Sequence, residues 1–293
     1  MRIRELLKKA QNTLENAGVP DPENDAMALL LHIKGWNLQD YILASAGESG
    51  LLSEEDEKEF LELIGRRAKR IPLQHLTGYA DFYGYRFRVN EHVLIPRYDT
   101  EILVHTVLQE NPVAAEHNNC HVLDLCTGSG CIAVTLKKEG GYQTVDASDI
   151  DPETVRTAAE NAEKLEASVN FYTGDLFSAL PAAETEEQLY DLIVSNPPYI
   201  AETERKDLEP EVVDHDPEKA LFAGQDGLLF YRRIIAEAPA HLKKAGKLYL
   251  EIGYLQKGPV SQLLLEHGFR DIRVVQDLSG KDRVIRGIRG DHV

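Results

Sequence analysis

The chain has 293 residues, 43% of them hydrophobic, enough for one large domain or two modest ones with a real core. Its charged residues are mixed throughout, which argues against global disorder, and its formal net charge of -17 disfavours a broad grip on DNA or RNA phosphates while leaving room for a local basic site or a basic protein partner. No apolar run approaches the ~20 residues of a membrane span, and three cysteines with no secretory segment argue for reduced thiols in a cytoplasmic protein.

The first 70 residues predict helices. Ile3, Leu6, Leu7, Ala10 and Leu14 recur at helical spacing. Asp21-Pro22-Glu23 offers an N-cap, a proline at the first helical position and an acid in the first turn. That helix carries Ala26, Leu29, Leu30 and Ile33 and stops at Gly35. Ser53-Glu-Glu-Asp56 opens a third long helix in near capping-box form. It ends in "GRRAKR", residues 65–70, which reads as a solvated helix end, with contact to a partner as the alternative.

Residues 76–95, "LTGYADFYGYRFRVNEHVLI", change character. Aromatic and β-branched residues around Gly78 and Gly84 predict a β-hairpin bridging two domains. "PRYDTE" follows, with Asp99 or Thr100 able to cap a helix running to about Leu108. Arg97 and Glu101 either line the cleft and steady a neighbouring loop or form an ordinary ion pair at the helix start.

From residue 120 strands and helices alternate. The strands are "HVLDLCT", "QTVDASD", "VNFYTGD", "YDLIVSN", "KLYLEIG", "DIRVVQD" and "RVIRGIR"; helices fall near 130–139, 152–165, 228–243 and 259–267. Asp151-Pro152 starts the second of these as Asp21-Pro22 starts its helix. Alternation implies a largely parallel sheet covered on both faces. Only "LSGKD" separates the last two strands, too short for a parallel crossover, so they pair antiparallel or lie apart. The connector from Ala201 to Asp226 is long and acidic, and its place predicts a cover for the substrate loop.

Cys120, Cys126 and Cys131 lie within twelve residues but form no CxxC pair, and His121 does not complete a ligand set. Buried or loop thiols explain them better than a metal site.

"DLCTGSGCIA" lies between a strand and a helix and contains Gly128-x-Gly130-x-x-Ala133, the form of a nucleotide-binding turn. Asp149, 19 residues after Gly130, ends the second strand, where a carboxylate accepts from ribose hydroxyls. NAD, FAD and S-adenosylmethionine all suit that pattern. Asp124, just before the glycines, would repel a pyrophosphate and suits a ligand carrying an ammonium and a sulfonium. In "GDLF", Asp175 offers a carboxylate to an adenine amino group, or caps the following turn, and Leu176 and Phe177 offer apolar contact.

"VSNPPYI" closes the fourth strand, on the edge where open α/β sheets bind ligands. The Asn196 side-chain oxygen and the Pro197 carbonyl can each accept one hydrogen of a planar NH2 group. The Pro197 and Pro198 rings fix where that carbonyl points, and Tyr199 can pack on the acceptor's flat face. Two acceptors on one NH2 push electron density onto nitrogen and aim it at an electrophile, which methylating an amide or exocyclic amine requires.

The chain resembles the HemK/PrmC family, glutamine N5-methyltransferases of peptide chain release factors. The resemblance runs through "PLQHLTGYADFYGYRFRVN", "LIPRYDTE", "VLDLCTGSGCIA", "SDIDP", "GDLF", "IVSNPPYI", "ALFAGQDGL" and "DLSGKDRVIRG". "NPPY" alone is also similar to DNA adenine-N6 methyltransferases; the hairpin and "IPR-DTE" are far more specific.

The resemblance implies an α/β fold: a class I, Rossmann-like methyltransferase domain at 96–293 with a mostly parallel seven-stranded sheet. A small all-helical substrate-recognition domain at 1–75 and a hairpin linker at 76–95 would precede it. By position Cys126, Thr127, Gly128, Ser129, Gly130 and Asp149 would hold S-adenosylmethionine, with Asp124 and Asn196 beside it and Asp175 and Leu176 near the adenine. Asn196, Pro197, Pro198 and Tyr199 would hold the acceptor, the glutamine of the Gly-Gly-Gln motif in class 1 release factors, with Arg97 and Glu101 lining the cleft. No direct nucleic-acid or membrane partner is expected. Tyr98 stands where the family usually has proline, and Cys126 where it usually has glycine.

A nucleic-acid adenine-N6 methyltransferase would share the acceptor chemistry, but it would want a basic face and usually a target-recognition insert, and neither is visible. A non-catalytic module with this fold would have lost Asn196 or the glycines, and both are intact.

Overall fold

The computed structural model describes residues 2–46, 52–112 and 119–290; the outermost ends of the two expected domains, Met1 and residues 291–293, lie outside them. Two units divide the chain: Met1–Tyr79 with Glu209–His215, and Ala80–Leu208 with Asp216–Val293.

In the first unit, α1 (Ile3–Asn16) buries the stripe Ile3, Leu6, Ala10 and Leu14 that its spacing predicts. Helix α2 (Pro22–Lys34) buries Ala26, Leu29 and Leu30 and ends at Gly35. Asp21 flanks it without capping: its carboxylate accepts instead from the Asn24 side chain at 2.7 Å. Helix α3 (Leu38–Ala46) adds an element not among those predicted; it leaves Leu38, Ile42 and Leu43 exposed and packs Tyr41 and Ala44 on the core of this unit. Helix α4 (Glu54–Arg67) begins where the Ser53 hydroxyl accepts from the Asp56 N–H at 3.0 Å. Short α5 (Leu73–Thr77) follows. Phe60 and Ile64 meet Leu14, Leu29 and Leu30 in the core of this unit.

The basic run that ends α4 is solvated only in part: Arg66 and Lys69 are exposed, whereas Arg67 and Arg70 are paired. Arg67 is 5% exposed; its Nε donates to Asp25 at 2.6 Å and its guanidinium tips to Glu211 at 3.1 Å. Arg70 donates to the same Glu211 at 2.6 Å and to Glu209 at 3.1 Å. Burial pushes the Asp25 carboxyl up, and the Arg67 guanidinium opposes that shift. Glu211 lies in a late segment of the chain that packs with this unit rather than with its sequence neighbours.

The hairpin strands are β1 (Tyr79–Phe82) and β2 (Tyr85–Arg88). Tyr83 and Gly84 between them have φ of 51° and 79°, the left-handed pair that a two-residue hairpin turn needs. Helix α6 (Tyr98–Glu110) follows with no side-chain cap. Asp99 pairs with Arg283 at 2.9 Å, and the Thr100 hydroxyl turns to Asn196, so neither fills the capping role.

Then come β3 (His121–Leu125), α7 (Cys131–Gly140), β4 (Thr144–Asp149), α8 (Pro152–Lys164), β5 (Asn170–Thr173) and β6 (Tyr190–Ser195). Asp151 caps α8 as predicted, accepting from the Glu153 N–H at 2.7 Å. Short α9 (Pro210–His215) and α10 (Glu218–Leu221) precede α11 (Leu229–His241), β7 (Leu242–Glu251), α12 (Lys257–Glu266), β8 (Phe269–Gln276) and β9 (Asp282–Arg289).

Seven strands form one sheet in the order β5-β4-β3-β6-β7-β9-β8. Strand β9 runs antiparallel to both neighbours, as the five-residue link before it requires, and the other pairs are parallel. Alternate residues of β3 face opposite layers. Val122 joins Leu103 and Val104 of α6 and Val134 of α7; Leu123 joins Ile234 of α11 and Val260 of α12.

The hairpin is fastened to this second unit. Phe82 and Phe87, 1% and 0% exposed, meet edge to face at 6.1 Å within its core. The Asn161 side chain of α8 both accepts from Arg88 N–H at 2.7 Å and donates to its carbonyl at 3.0 Å.

The 201–226 connector is not one irregular loop. A short 3-10 helix, Glu202–Asp207, leads to α9 and α10. Its two ends are tied together, Ile200 N–H to the Leu221 carbonyl and Ala223 N–H to the Ile200 carbonyl, both at 2.9 Å.

Phe87→Ala is expected to lower the stability of the second unit by about 3–5 kcal/mol, the cost of emptying a packed aromatic site. Denaturant unfolding followed by tyrosine fluorescence measures it; a loss under about 1 kcal/mol would mean the hairpin is not part of that core.

Candidate active site

Strands β3 and β6 pair in parallel with Leu125 opposite Ser195, and the Ser195 hydroxyl donates to the Leu125 carbonyl at 2.7 Å. The glycine loop and "NPPY" therefore leave the sheet side by side. This is also where the strand order reverses, since β4 and β5 lie on one side of β3 and β6 on the other.

The loop is held by its own backbone. Thr127 N–H donates to the Ser148 carbonyl at 3.0 Å and Gly128 N–H to the Asp149 carboxylate at 3.0 Å. Cys126 has φ of 60°, a left-handed conformation that favours the glycine found there in the resembling family. Gly130 has φ of 81°, and an added Cβ would come within 3.1 Å of the Ala158 Cβ on α8. Burial pushes the Cys131 and Cys120 thiols up to about 12 and Cys126 higher, so all three stay protonated.

A cavity of about 280 Å³ opens on this edge. Cys126, Gly128, Asp149, Asp175, Leu176, Asn196 and Pro198 line it, together with residues not expected as site residues: Ser148 and Ile150 within "SDIDP", Phe222 within "ALFAGQDGL", and Lys219 and Phe230 outside any quoted motif. The Ser148 hydroxyl is buried with no hydrogen bond among the described residues. Its place beside Asp149 at the end of β4, within "SDIDP", is the sequence signal for it.

Several expected site residues sit elsewhere. Asp124 is wholly buried behind the loop and does not line the cavity. Its Oδ2 accepts from the Thr127 hydroxyl at 2.6 Å and the Ala133 N–H at 3.2 Å, so it shapes the loop. Burial pushes its carboxyl up to about 7. Thr127 and Ser129, 3% and 1% exposed, also lie inside the loop rather than along the cavity. Asp175 does line the cavity, but its carboxylate pairs with Arg233 of α11 at 2.7 Å and does not cap the turn after it.

Arg97 and Glu101 are not paired and do not line the cavity. Arg97 reaches the buried Asp216 at 2.5 Å, and Glu101 accepts from the Tyr83 N–H at 2.7 Å, bracing the hairpin turn.

The amide of Asn196 is held from behind. Its Nδ2 donates to the Thr100 hydroxyl at 3.1 Å, and its Oδ1 accepts no hydrogen bond among the described residues. Pro197 and Pro198 are buried, and Tyr199 is half-buried. The Tyr199 hydroxyl donates to Glu251 at 3.4 Å, and its carbonyl accepts from Gln256 at 2.8 Å. Thr100 and Glu251 belong to this arrangement, yet nothing in their spacing from "NPPY" reveals it.

The residues present fit S-adenosylmethionine. The cavity has an apolar wall of Ile150, Leu176 and Phe222, the unsatisfied Ser148 hydroxyl and the Asp149 carboxylate. Asp149 accepts once on each oxygen, from Gly128 and from Asp151, which leaves acceptor capacity for ribose hydroxyls. Asp149→Ala should weaken S-adenosylhomocysteine binding by about 1–3 kcal/mol, the scale for losing hydrogen bonds to a charged group. Titration calorimetry reads this directly, and an unchanged affinity would remove Asp149 from the site.

Known proteins extend the picture. A family model described as the PrmC N-terminal domain matches residues 5–78, and one described as the methyltransferase small domain matches residues 98–225. The release factor glutamine methyltransferase of Bacillus cereus is 41% identical over 97% of this chain and 98% of its own length. That of Deinococcus radiodurans is 38% identical over 99% of each. A methyltransferase crystal structure from Pyrococcus furiosus superposes with a TM-score of 0.51 over 71% of this chain and 91% of that one; at 17% identity it shows the shared fold alone. With full-length similarity to several such enzymes and both family models in order along it, the chain belongs to the release factor glutamine methyltransferase family.

Proposed function

We propose that this protein transfers a methyl group from S-adenosylmethionine to the side-chain amide nitrogen, N5, of the glutamine in the Gly-Gly-Gln motif of class 1 peptide chain release factors. The observation that carries this reading is the Asn196 amide, fixed by Thr100 through its NH2 end while its oxygen has no hydrogen-bond partner among the described residues and lies beside the cavity.

Resonance makes an amide nitrogen a poor nucleophile. Bound S-adenosylmethionine supplies a methyl group on a positively charged sulfur. The chain's own task is to hold the acceptor. Asn196 Oδ1 and the Pro197 carbonyl each take one hydrogen of the glutamine NH2, which orients the nitrogen and stabilises the positive charge that grows on it. Both acceptors sit on buried or braced backbone, so little reorganisation accompanies the reaction. Tyr199 flanks the same turn, and the Gln256 side chain anchors its carbonyl. The helical unit, which carries none of the cofactor or acceptor motifs, recognises the release factor. The work belongs in the cytoplasm, where release factors act; no helix among the described residues is long and apolar enough to cross a membrane.

Incubation with labelled cofactor and, separately, release factor, DNA and RNA tests the assignment. Mass spectrometry should place the label on the Gly-Gly-Gln glutamine alone; label on adenine of DNA or RNA would overturn it. Asn196→Ala should lower the single-turnover rate on the order of 10²–10³-fold, as for loss of one preorganised hydrogen-bonding group. S-adenosylhomocysteine affinity should barely change. A rate within about twofold of wild type would reduce "NPPY" to a rigid strand end.

A further inference from the structure

The acceptor turn cannot hold itself. Pro197 and Pro198 carry no N–H, so the turn lacks the donors with which a loop usually ties its own backbone. Their rings fix φ at two positions, but the aim of the Pro197 carbonyl also depends on where the two ends of the turn are pinned. At the near end the Ser195 hydroxyl donates to the Leu125 carbonyl at 2.7 Å. The far end is the peptide unit that joins Tyr199 to Ile200. Its N–H donates to the Leu221 carbonyl at 2.9 Å, and its carbonyl accepts from Gln256 Nε2 at 2.8 Å.

Gln256 stands immediately before α12, where a capping residue belongs, yet its side chain makes no cap hydrogen bond. It is turned to the loops beside it instead. Nε2 donates to the Tyr199 carbonyl and, at 3.3 Å, to the Gly227 carbonyl. Oε1 accepts from the Gly253 N–H at 2.9 Å and lies 3.3 Å from the Tyr231 hydroxyl. A flipped amide would set its oxygen against two carbonyls and its NH2 against an N–H, so these neighbours allow one orientation. One side chain thereby ties together the exit of β6, the turn that leads into α11 and the turn that follows β7.

The approach at Gly227 is close. A Cβ added there would overlap the Tyr199 carbonyl oxygen and stand 2.8 Å from Gln256 Nε2. Only a residue without a side chain lets the two carbonyls converge on a single NH2 group. Gln256 itself does not line the cavity, so it touches the acceptor turn and not the space that fits the cofactor.

We infer that Gln256 is a positioning residue for methyl transfer: by clamping the Tyr199 carbonyl against the Gly227 turn it fixes the far end of "NPPY", and with it the aim of the Pro197 carbonyl at the acceptor NH2. The inference rests on the glutamine-methylating reading of the site. With the clamp gone, the far end keeps its Leu221 bond but loses the hold on its carbonyl side. The Pro197 carbonyl then swings off the hydrogen it must accept, and the nitrogen leaves the line of attack. Most contact with the release factor is made away from this turn, so the loss falls on the rate and not on affinity.

Single-turnover methylation of release factor at saturating cofactor and partner tests this. Gln256→Met keeps length and volume and removes the amide; Gln256→Glu keeps the shape and sets a carboxylate against two carbonyls. Gln256→Met should run about 10–100-fold slower than wild type, the scale of a misplaced reacting group, and Gln256→Glu at least as slowly. Affinities for release factor and S-adenosylhomocysteine should stay within about twofold of wild type. Gly227→Ala, which presses on the same carbonyl and leaves Gln256 in place, should show the same loss of rate at unchanged affinity, and it decides the matter if the Gln256 variants fail to fold. A side chain that only fills space would let methionine serve, so a Gln256→Met rate within about twofold of wild type overturns the inference. A Gly227→Ala rate that close to wild type overturns it too, as does a loss that appears in affinity instead of rate. Wild-type protein that leaves release factor unmethylated sinks the functional reading itself, whereas an active wild type with indifferent variants sinks only the role of Gln256.

Discussion

The parallel pairing of β3 with β6 sets the geometry of everything at the candidate site. A parallel pair has a fixed register, and here it places Leu125 beside Ser195 with a side-chain bond locking the two ends together. Each strand then leaves the sheet by a route its next residues dictate. Cys126 turns left-handed and feeds a glycine loop into α7; Pro197 and Pro198 cannot extend a ladder and force a rigid exit. A one-residue slip in this pairing would turn every side chain of β6 to the opposite layer and carry Asn196 away from the cavity. Sheet register and acceptor geometry are therefore a single constraint.

Buried carboxylates gather around that point. Asp124, Asp149 and Glu251 are all shifted towards protonation, chiefly by burial, and the charge of Asp149 adds to the shift of Asp124. The fold answers the first two mostly with neutral donors: the Thr127 hydroxyl and the N–H groups of Ala133, Gly128 and Asp151. Lys219 eases Asp149 from a distance, while its ammonium pairs with Asp151. At the cavity Lys219 and Arg233 are each already paired with a carboxylate, Asp151 and Asp175, so Asp149 is the acid left to meet a ligand. The net charge of -17 adds a field that favours a cationic ligand over a pyrophosphate.

The sheet was legible in the sequence because its strands are short apolar runs punctuated by glycine, proline and acids, and the link before β9 is too short for anything but an antiparallel return. The glycine loop, Asp149 and Asn196 were legible because motif and strand end coincide. What escaped has a physical reason in each case. Helix α3 turns its largest aliphatic residues, Leu38, Ile42 and Leu43, to solvent and packs Tyr41 and Ala44 inward, so its apolar residues do not mark its buried face. Thr100 sits where a helix cap belongs, but tertiary contact with Asn196 claims its hydroxyl. Asp175 lines the cavity as expected but does not cap the turn after it, and its pairing with a guanidinium from α11 is not written in its local sequence. In the "GRRAKR" run Arg66 and Lys69 are solvated as expected, and the pairing of Arg67 and Arg70 escaped because their acidic partners, Asp25 and Glu211, are remote in sequence. Pairings of that kind depend on three-dimensional proximity, which periodicity does not encode.

The membership of α9 in the helical unit bears on how such a protein can change over evolutionary time. Between Leu208 and Asp216 the chain leaves the catalytic unit, contributes Glu209 and Glu211 to the helical one, and returns. The helical unit is thus assembled from two stretches of gene rather than one. Recombination that brought in an amino-terminal stretch without cations at positions 67 and 70 would leave the part-buried Glu211 carboxylate without the partners that hold it charged. Exchange of this unit between relatives would succeed only when both stretches move together. The short acidic excursion and the amino-terminal helices are in that sense one heritable module, and a lineage that altered the charge of Glu211 would be expected to answer at positions 67 and 70.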